Sequence, residues 1–239
     1  MINTIFFDNW NTLVEAPNLM MKGSSTKIFH NYLTNQGIRV PYESMLEAYI
    51  PIANYQEQVA RSEGYREPDY RQRLEDVFKK LNINNAVKHS HGAWKYYLDM
   101  WPIQTEYFQG VPEMLNDLKR EYKLGVITNY MDGPTCRKVF SKLGYDSIFN
   151  TLVVSHEYGY MKPSKILFHA AMKDTDSTPE NCLMVGDSYD ADIVGGNTAG
   201  MKTVLIDFHN NQQDYYNDCS AVIKKITILP DILNQLELD

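Results

Sequence analysis

The segment INTIFFDNWNTL, residues 2–13, carries an apolar run, Ile5-Phe6-Phe7, that delivers one carboxylate, Asp8, to the end of a strand. A polar, turn-prone stretch, Asn9 to Thr12, follows at once. An ionised carboxylate at the rim of an apolar sheet is costly to desolvate unless a cation, a metal or a set of donors meets it there. Taken alone, Asp8 reads equally well as a turn residue and as an active group. The ends of the other strands decide between the two.

Further along, from Val111, strands and helices alternate. The pattern predicts helices over Pro112 to Tyr122, Cys136 to Leu143, Ser164 to Lys173 and Asp190 to Ala199, with Pro112 and Gly144 as boundary signals. It predicts strands over Leu124 to Ile127, Thr151 to Ser155, Cys182 to Val185 and Thr203 to Ile206. LGVI, CLMV and TVLI are continuously apolar, as strands buried on both faces of a parallel sheet should be. Such spacing predicts an α/β, Rossmann-like, three-layer parallel-sheet core with helices on both faces. Asn210 to Asp218 reads as a surface loop or turn, and Leu229 to Leu238 as a final amphipathic helix.

Between Leu13 and Val111 the texture differs. Residues 16–102 are poor in glycine, and apolar positions recur at helical spacing, as at Ile28, Phe29, Tyr32, Leu33 and at Leu74, Val77, Phe78, Leu81. Turn residues cluster at Gly37 to Pro41, Gly64 to Pro68 and Asn82 to Asn85. The expectation is an all-α domain, 16–102, inserted into a core made of 1–15 and 103–239. Arg61, Arg66, Arg71 and Arg73 read as a solvated basic face or as a surface for an anionic substrate.

In open parallel sheets, ligands bind at the carboxyl ends of the strands. Those ends read Asp8, then Thr128-Asn129, then Lys162 beyond the third strand, then Gly186-Asp187-Ser188 with Asp192 following. Each has an ordinary reading as a turn, cap or surface residue. Together, at four strand ends of one sheet, they place a carboxylate, a hydroxyl, an ammonium and an acidic pair on one rim.

These segments resemble the haloacid dehalogenase superfamily of hydrolases. FFDNWNTL resembles its first motif, VITN its second, GYMKPSKILFHAA its third and VGDSYDADIVGGNTAGM its fourth, and the family also carries a helical cap between the first two. The resemblance implies that Asp8 attacks a phosphoryl group to form an aspartyl-phosphate that water then hydrolyses. It further implies Mg2+ held by Asp8, Asp187 and the backbone carbonyl of Trp10, with Asp192 acting through water or by orienting ligands. Lys162 would offset negative charge, Thr128 and Asn129 would donate to the transferring oxygens, and Trp10 and Asn11 would lie beside substrate.

The chain departs from the family pattern at Trp10. Most phosphatases of this family carry at that position an Asp that protonates the leaving oxygen, and an indole cannot replace it at neutral pH. A missing acid/base costs about 10²- to 10⁴-fold, so a slow phosphatase, or one using good leaving groups, remains physically allowed. Haloacid dehalogenases lack that acid too, but they usually lack the Gly-Asp kept here as Gly186-Asp187. Phosphonate-cleaving relatives need a cap lysine, for which Lys22 and Lys27 are the nearest candidates. A catalytically silent member that binds a phosphorylated ligand or a protein is the third alternative.

A net charge of −7 argues against nucleic acid or an anionic membrane as partner, and no apolar stretch approaches the roughly 20 residues that cross a bilayer. Cys136, Cys182 and Cys219 form no metal or redox pair, and no secretory signal is evident. The expectation is a cytoplasmic enzyme with a small-molecule substrate.

Overall fold

The computed structural model describes residues 1–21 and 23–236. The chain divides into two compact units, Met1–Glu15 with Glu106–Asp239, and Ala16–Thr105.

Among the described residues the first unit holds eight strands: β1 Thr4–Phe7, β2 Val14–Glu15, β3 Glu106–Tyr107, β4 Lys123–Thr128, β5 Thr151–Val154, β6 Cys182–Gly186, β7 Lys202–Ile206 and β8 Ala221–Ile223. Six form one sheet in the order β5-β4-β1-β6-β7-β8, every pairing parallel. From β1 the sheet grows outwards in both directions, so the strand order reverses beside it. That reversal opens the crevice in which doubly wound sheets bind ligands, and Asp8 is the first residue beyond β1. β2 and β3 pair antiparallel, Val14 opposite Tyr107, and form the stem from which residues 16–105 depart.

Alternation along β1 divides its side chains between the two faces. Phe6 joins Ile127, Val153, Leu167, Phe168, Ala171 and Met184 in one cluster, which packs the helix Lys165–Thr175 onto the sheet. Phe7 points the other way and meets Phe149 edge-on at 6.3 Å; Phe149 in turn meets Tyr145, and Tyr145 meets Phe140 of the helix Gly133–Lys142. All four residues of β1 are buried.

Several boundaries differ from the sequence pattern. The helix expected from Cys136 begins at Gly133, because Asp132 caps it by accepting from the Thr135 N–H at 2.8 Å and Pro134 suits its first turn. The first core helix ends at Leu118 rather than Tyr122, since β4 starts at Lys123. Ser155 opens a short helix instead of ending β5. Over 190–199 the structure has a π-helical turn, Tyr189–Ile193, before the helix Val194–Thr198. There Asp192 reaches back to the Ser188 N–H at 3.0 Å, and such widened turns gather at functional sites. β8 lies in a stretch too short to show a period. The final helix runs over Leu229–Leu236, while Glu237 and Leu238, the last two residues expected in it, lie outside the described residues.

The second unit contains helices Pro17–Met20, Ser24–Asn35, Tyr42–Ser62, Tyr70–Lys80 and Ala86–Gln104, with breaks at the three turn clusters. Phe29, Leu33, Met45, Leu74, Val77, Phe78 and Trp101 are among its buried residues. The four arginines do not form one face. Arg61, Arg66 and Arg71 are exposed, whereas Arg73 is buried, donating from Nε to Gln56 Oε1 at 2.8 Å and lying 4.8 Å from the centre of the Tyr70 ring. Among the described residues, no helix is long and apolar enough to cross a membrane.

Gly125 tests the packing between β1, β4 and β5. A Cβ there would lie 2.7 Å from both Phe6 Cδ1 and Thr151 Cγ2. Gly125→Ala should destabilise the protein by about 1–3 kcal/mol, seen in calorimetry as a melting temperature lower by roughly 2–4 °C for each kcal/mol.

Candidate active site

Asp8 is set in place by the sheet, its N–H donating to the Val185 carbonyl at 2.8 Å. The turn that follows is wound around the Asn9 carbonyl, which accepts from the N–H groups of Thr12, Leu13 and Val14 at 3.3, 2.9 and 3.1 Å. Asn11 takes a positive φ of 60°, a conformation that asparagine tolerates better than most residues. Its exposed side chain interacts with the Asp187 carboxylate.

Lys162 reaches the same place from the loop after β5. Its ammonium is buried and donates to Asp8 Oδ1 at 2.6 Å and to Asp192 Oδ1 at 2.7 Å. Asn129, at the end of β4, holds the Lys162 backbone from both sides: Oδ1 accepts from its N–H at 2.7 Å and Nδ2 donates to its carbonyl at 3.2 Å. Much of the Asn129 amide, expected to face the transferring oxygens, is therefore engaged in placing Lys162. The Thr128 hydroxyl is buried and has no hydrogen-bond partner among the described residues, which leaves a donor available to a ligand.

Carboxylate oxygens of Asp8, Asp187 and Asp192 lie within 4.8 Å of one another. Gly186 makes this crowding possible, because a Cβ there would come within 2.1 Å of Asp192 Oδ2. Burial raises the Asp8 pKa to about 6, with Lys162 opposing the rise and Asp192 adding to it. For Asp187, burial and then the charges of Asp8 and Asp192 raise it to about 8, against Lys162 and Asn11. Burial acts against the charge of Lys162, but Asp192 and Asp8 hold its pKa at about 12. Three carboxylates facing one ammonium would leave two uncompensated negative charges if all were ionised. A divalent cation with a preference for oxygen fits that donor set and that deficit.

Trp10 is buried and stacks on Tyr130, ring centres 5.2 Å apart and planes 25° from parallel. The Tyr130 backbone is fixed in turn, its N–H donating to Ser155 Oγ at 2.9 Å. Position 10 thus carries an aromatic pair where an acid is expected from the family pattern. Lys27 is exposed on its helix, and Lys22 lies outside the described residues.

A family model for haloacid dehalogenase-like hydrolases matches residues 27–206, and the chain belongs to that family of enzymes. The pyrophosphatase PpaX of Bacillus cereus (strain B4264) is 27% identical over 237 residues, 98% of this chain and 97% of its own. In fold, the chain is similar to a 2-haloacid dehalogenase from Pseudomonas syringae pv. Tomato DC3000, with a TM-score of 0.77 at 22% identity over 98% of this chain and 99% of that one. It is also similar to a hydrolase of the same superfamily, YfnB of Bacillus subtilis, in a structure with bound magnesium: TM-score 0.69, 21% identity, 98% of this chain and 99% of that one.

Two features escape the sequence reading. Gln212, in the stretch read as a surface loop, donates from Nε2 to the Asp187 carbonyl at 2.9 Å. Asp207 ends β7 with a buried carboxylate, and extending the strand-end rule from Ile206 by one residue would have found it.

The raised pKa values of Asp8 and Asp187 set a pH dependence. Each binds its proton more tightly in the folded chain than in the unfolded one, so their stabilising contribution is full below about pH 4 and is lost as pH rises towards 8. In chelator, the melting temperature should fall across that window, and fall less in Asp187→Asn. A divalent cation held by these carboxylates should raise it more at pH 8 than at pH 6, because fewer protons compete for them.

Proposed function

We propose that this hydrolase is a Mg2+-dependent phosphatase acting on a small phosphorylated metabolite through an aspartyl-phosphate on Asp8. The observation that carries the reading is the charge deficit of the Asp8, Asp187, Asp192 and Lys162 cluster. Asp8, Asp187 and the Trp10 backbone carbonyl would hold the ion, and Asp192 would support it through water or by orienting its ligands. When bound, Mg2+ supplies the positive charge that lets an anionic phosphoryl group approach an anionic nucleophile.

Asp8 displaces the leaving oxygen from phosphorus, and water then releases phosphate and regenerates the carboxylate. Lys162 keeps Asp8 ionised and oriented and offsets charge on the incoming group. Thr128 donates its otherwise unmatched hydroxyl to a transferring oxygen, and Asn129 fixes Lys162 while retaining one Nδ2 hydrogen for the ligand. The pyrophosphatase similarity over nearly the full chain supports a phosphorylated substrate. The same reading locates the enzyme in the cytoplasm, where Mg2+ and phosphorylated metabolites are at hand.

Trp10 makes departure of the leaving group the slow part of the cycle. Substrates that release a stable anion, such as acetyl phosphate or p-nitrophenyl phosphate, need no proton and are favoured over alkyl phosphates. The same feature favours a second reading, release of halide from a 2-haloacid, which also needs no acid.

A panel of p-nitrophenyl phosphate, acetyl phosphate, sugar phosphates and 2-haloacids, assayed with Mg2+ and with chelator, tests these readings. Asp8→Asn should lose turnover on every compound. Trp10→Asp should speed alkyl phosphate hydrolysis by about 10²- to 10⁴-fold. Wild-type protein that is folded yet inert on the whole panel would overturn the enzymatic proposal, and halide release in chelator would select the second reading.

A further inference from the structure

We propose that Gln212 is a positioning residue for the carboxylate of Asp187, and that the segment after β7 straps the Asp187 loop so firmly that it sets the affinity for Mg2+. The proposal rests on the Mg2+ reading above.

The three carboxylates are not held alike. Asp8 continues a strand and is bonded to Val185 through its backbone. Asp192 lies in a helical turn with both oxygens engaged, by Lys162 and by the Ser188 N–H. Asp187 is half-buried on a bend that belongs to neither a strand nor a helix. Its direction therefore depends on the Asn11 side chain beside it and on what fixes the peptide units around it.

Gln212 does this with one side-chain amide. Nε2 donates to the Asp187 carbonyl at 2.9 Å, and Oε1 accepts from the Tyr189 N–H at 3.2 Å. The amide closes a ring across Ser188, so the peptides on its two sides cannot turn independently. Gln212 is anchored in turn by Asp207, whose Oδ2 accepts from the Gln212 N–H at 3.2 Å while Oδ1 accepts from the Asn211 N–H at 3.2 Å. Tyr216 donates its hydroxyl to the same carboxylate at 2.6 Å, and Lys224 stands 3.7 Å away. A second grip lies beside the first. Tyr189 stacks on Tyr215 with centres 3.9 Å apart and planes 13° from parallel, and its hydroxyl donates to Asp218 at 2.6 Å.

Groups that orient a metal ligand without touching the metal commonly change its affinity by about 10- to 100-fold when removed. Metal-free full-length protein, wild type and the variants Gln212→Ala and Gln212→Met, would be titrated with Mg2+ in a calorimeter. Methionine keeps the length of the side chain and removes both hydrogen bonds. Both variants should raise Kd for Mg2+ by about 10- to 100-fold, speed amide hydrogen exchange at Tyr189, and shift the Mg2+ activation constant for p-nitrophenyl phosphate more than kcat. Variants that bind Mg2+ within about twofold of wild type would overturn the proposal, as would wild-type affinity in Gln212→Met alone, which would make packing the cause. Wild-type protein that takes up no Mg2+ would instead remove the metal reading on which the proposal stands.

Discussion

The ammonium of Lys162, buried between Asp8 and Asp192, is the contact on which the site depends. Burying any one of these charges alone would cost several kcal/mol, and each is tolerable because the others are present. The compensation is incomplete, since Asp187 adds a third carboxylate without a second cation. A site under such electrostatic tension favours whatever brings positive charge to it. Burial first, and this tension with it, raises the pKa values of Asp8 and Asp187, and the tension accounts for the fit to a divalent ion.

Topology supplies the convergence. β1 has β4 on one side and β6 on the other, so residues that follow three adjacent strands emerge within reach of one another. Small local devices complete the arrangement: the turn around the Asn9 carbonyl, the absence of a Cβ at Gly186, and the Asn129 amide locked to the Lys162 backbone. The Trp10–Tyr130 stack belongs to the same rim and changes its chemistry. In the mechanism proposed above, an aromatic pair there leaves attack by a carboxylate intact while withholding a proton from the group that departs.

Much of the core could be read from the sequence because buried parallel strands announce themselves as unbroken apolar runs, and the residue after each run is a candidate for the rim. LGVI, CLMV and TVLI mark β4, β6 and β7 in this way, and the turn clusters mark the breaks between helices in residues 16–105. What was hidden depends on partners distant in the chain. Asn129 acts on a backbone 33 residues away, and Gln212 on a carbonyl 25 residues away; no local pattern encodes either contact. β8 is three residues long, and the buried Arg73 is indistinguishable by composition from its exposed neighbours. The π-helical turn goes with a side chain that reaches back to its own loop, which helical periodicity alone does not reveal.

The position of β1 has a kinetic consequence. Thr4 pairs with Lys123 on one side and Cys182 on the other, so β1 is flanked by strands made much later. At about 5–20 residues per second, it emerges roughly 10–35 s before its second neighbour exists. Contacts of such high contact order form slowly, and the central strand spends that interval with at least one unpaired edge.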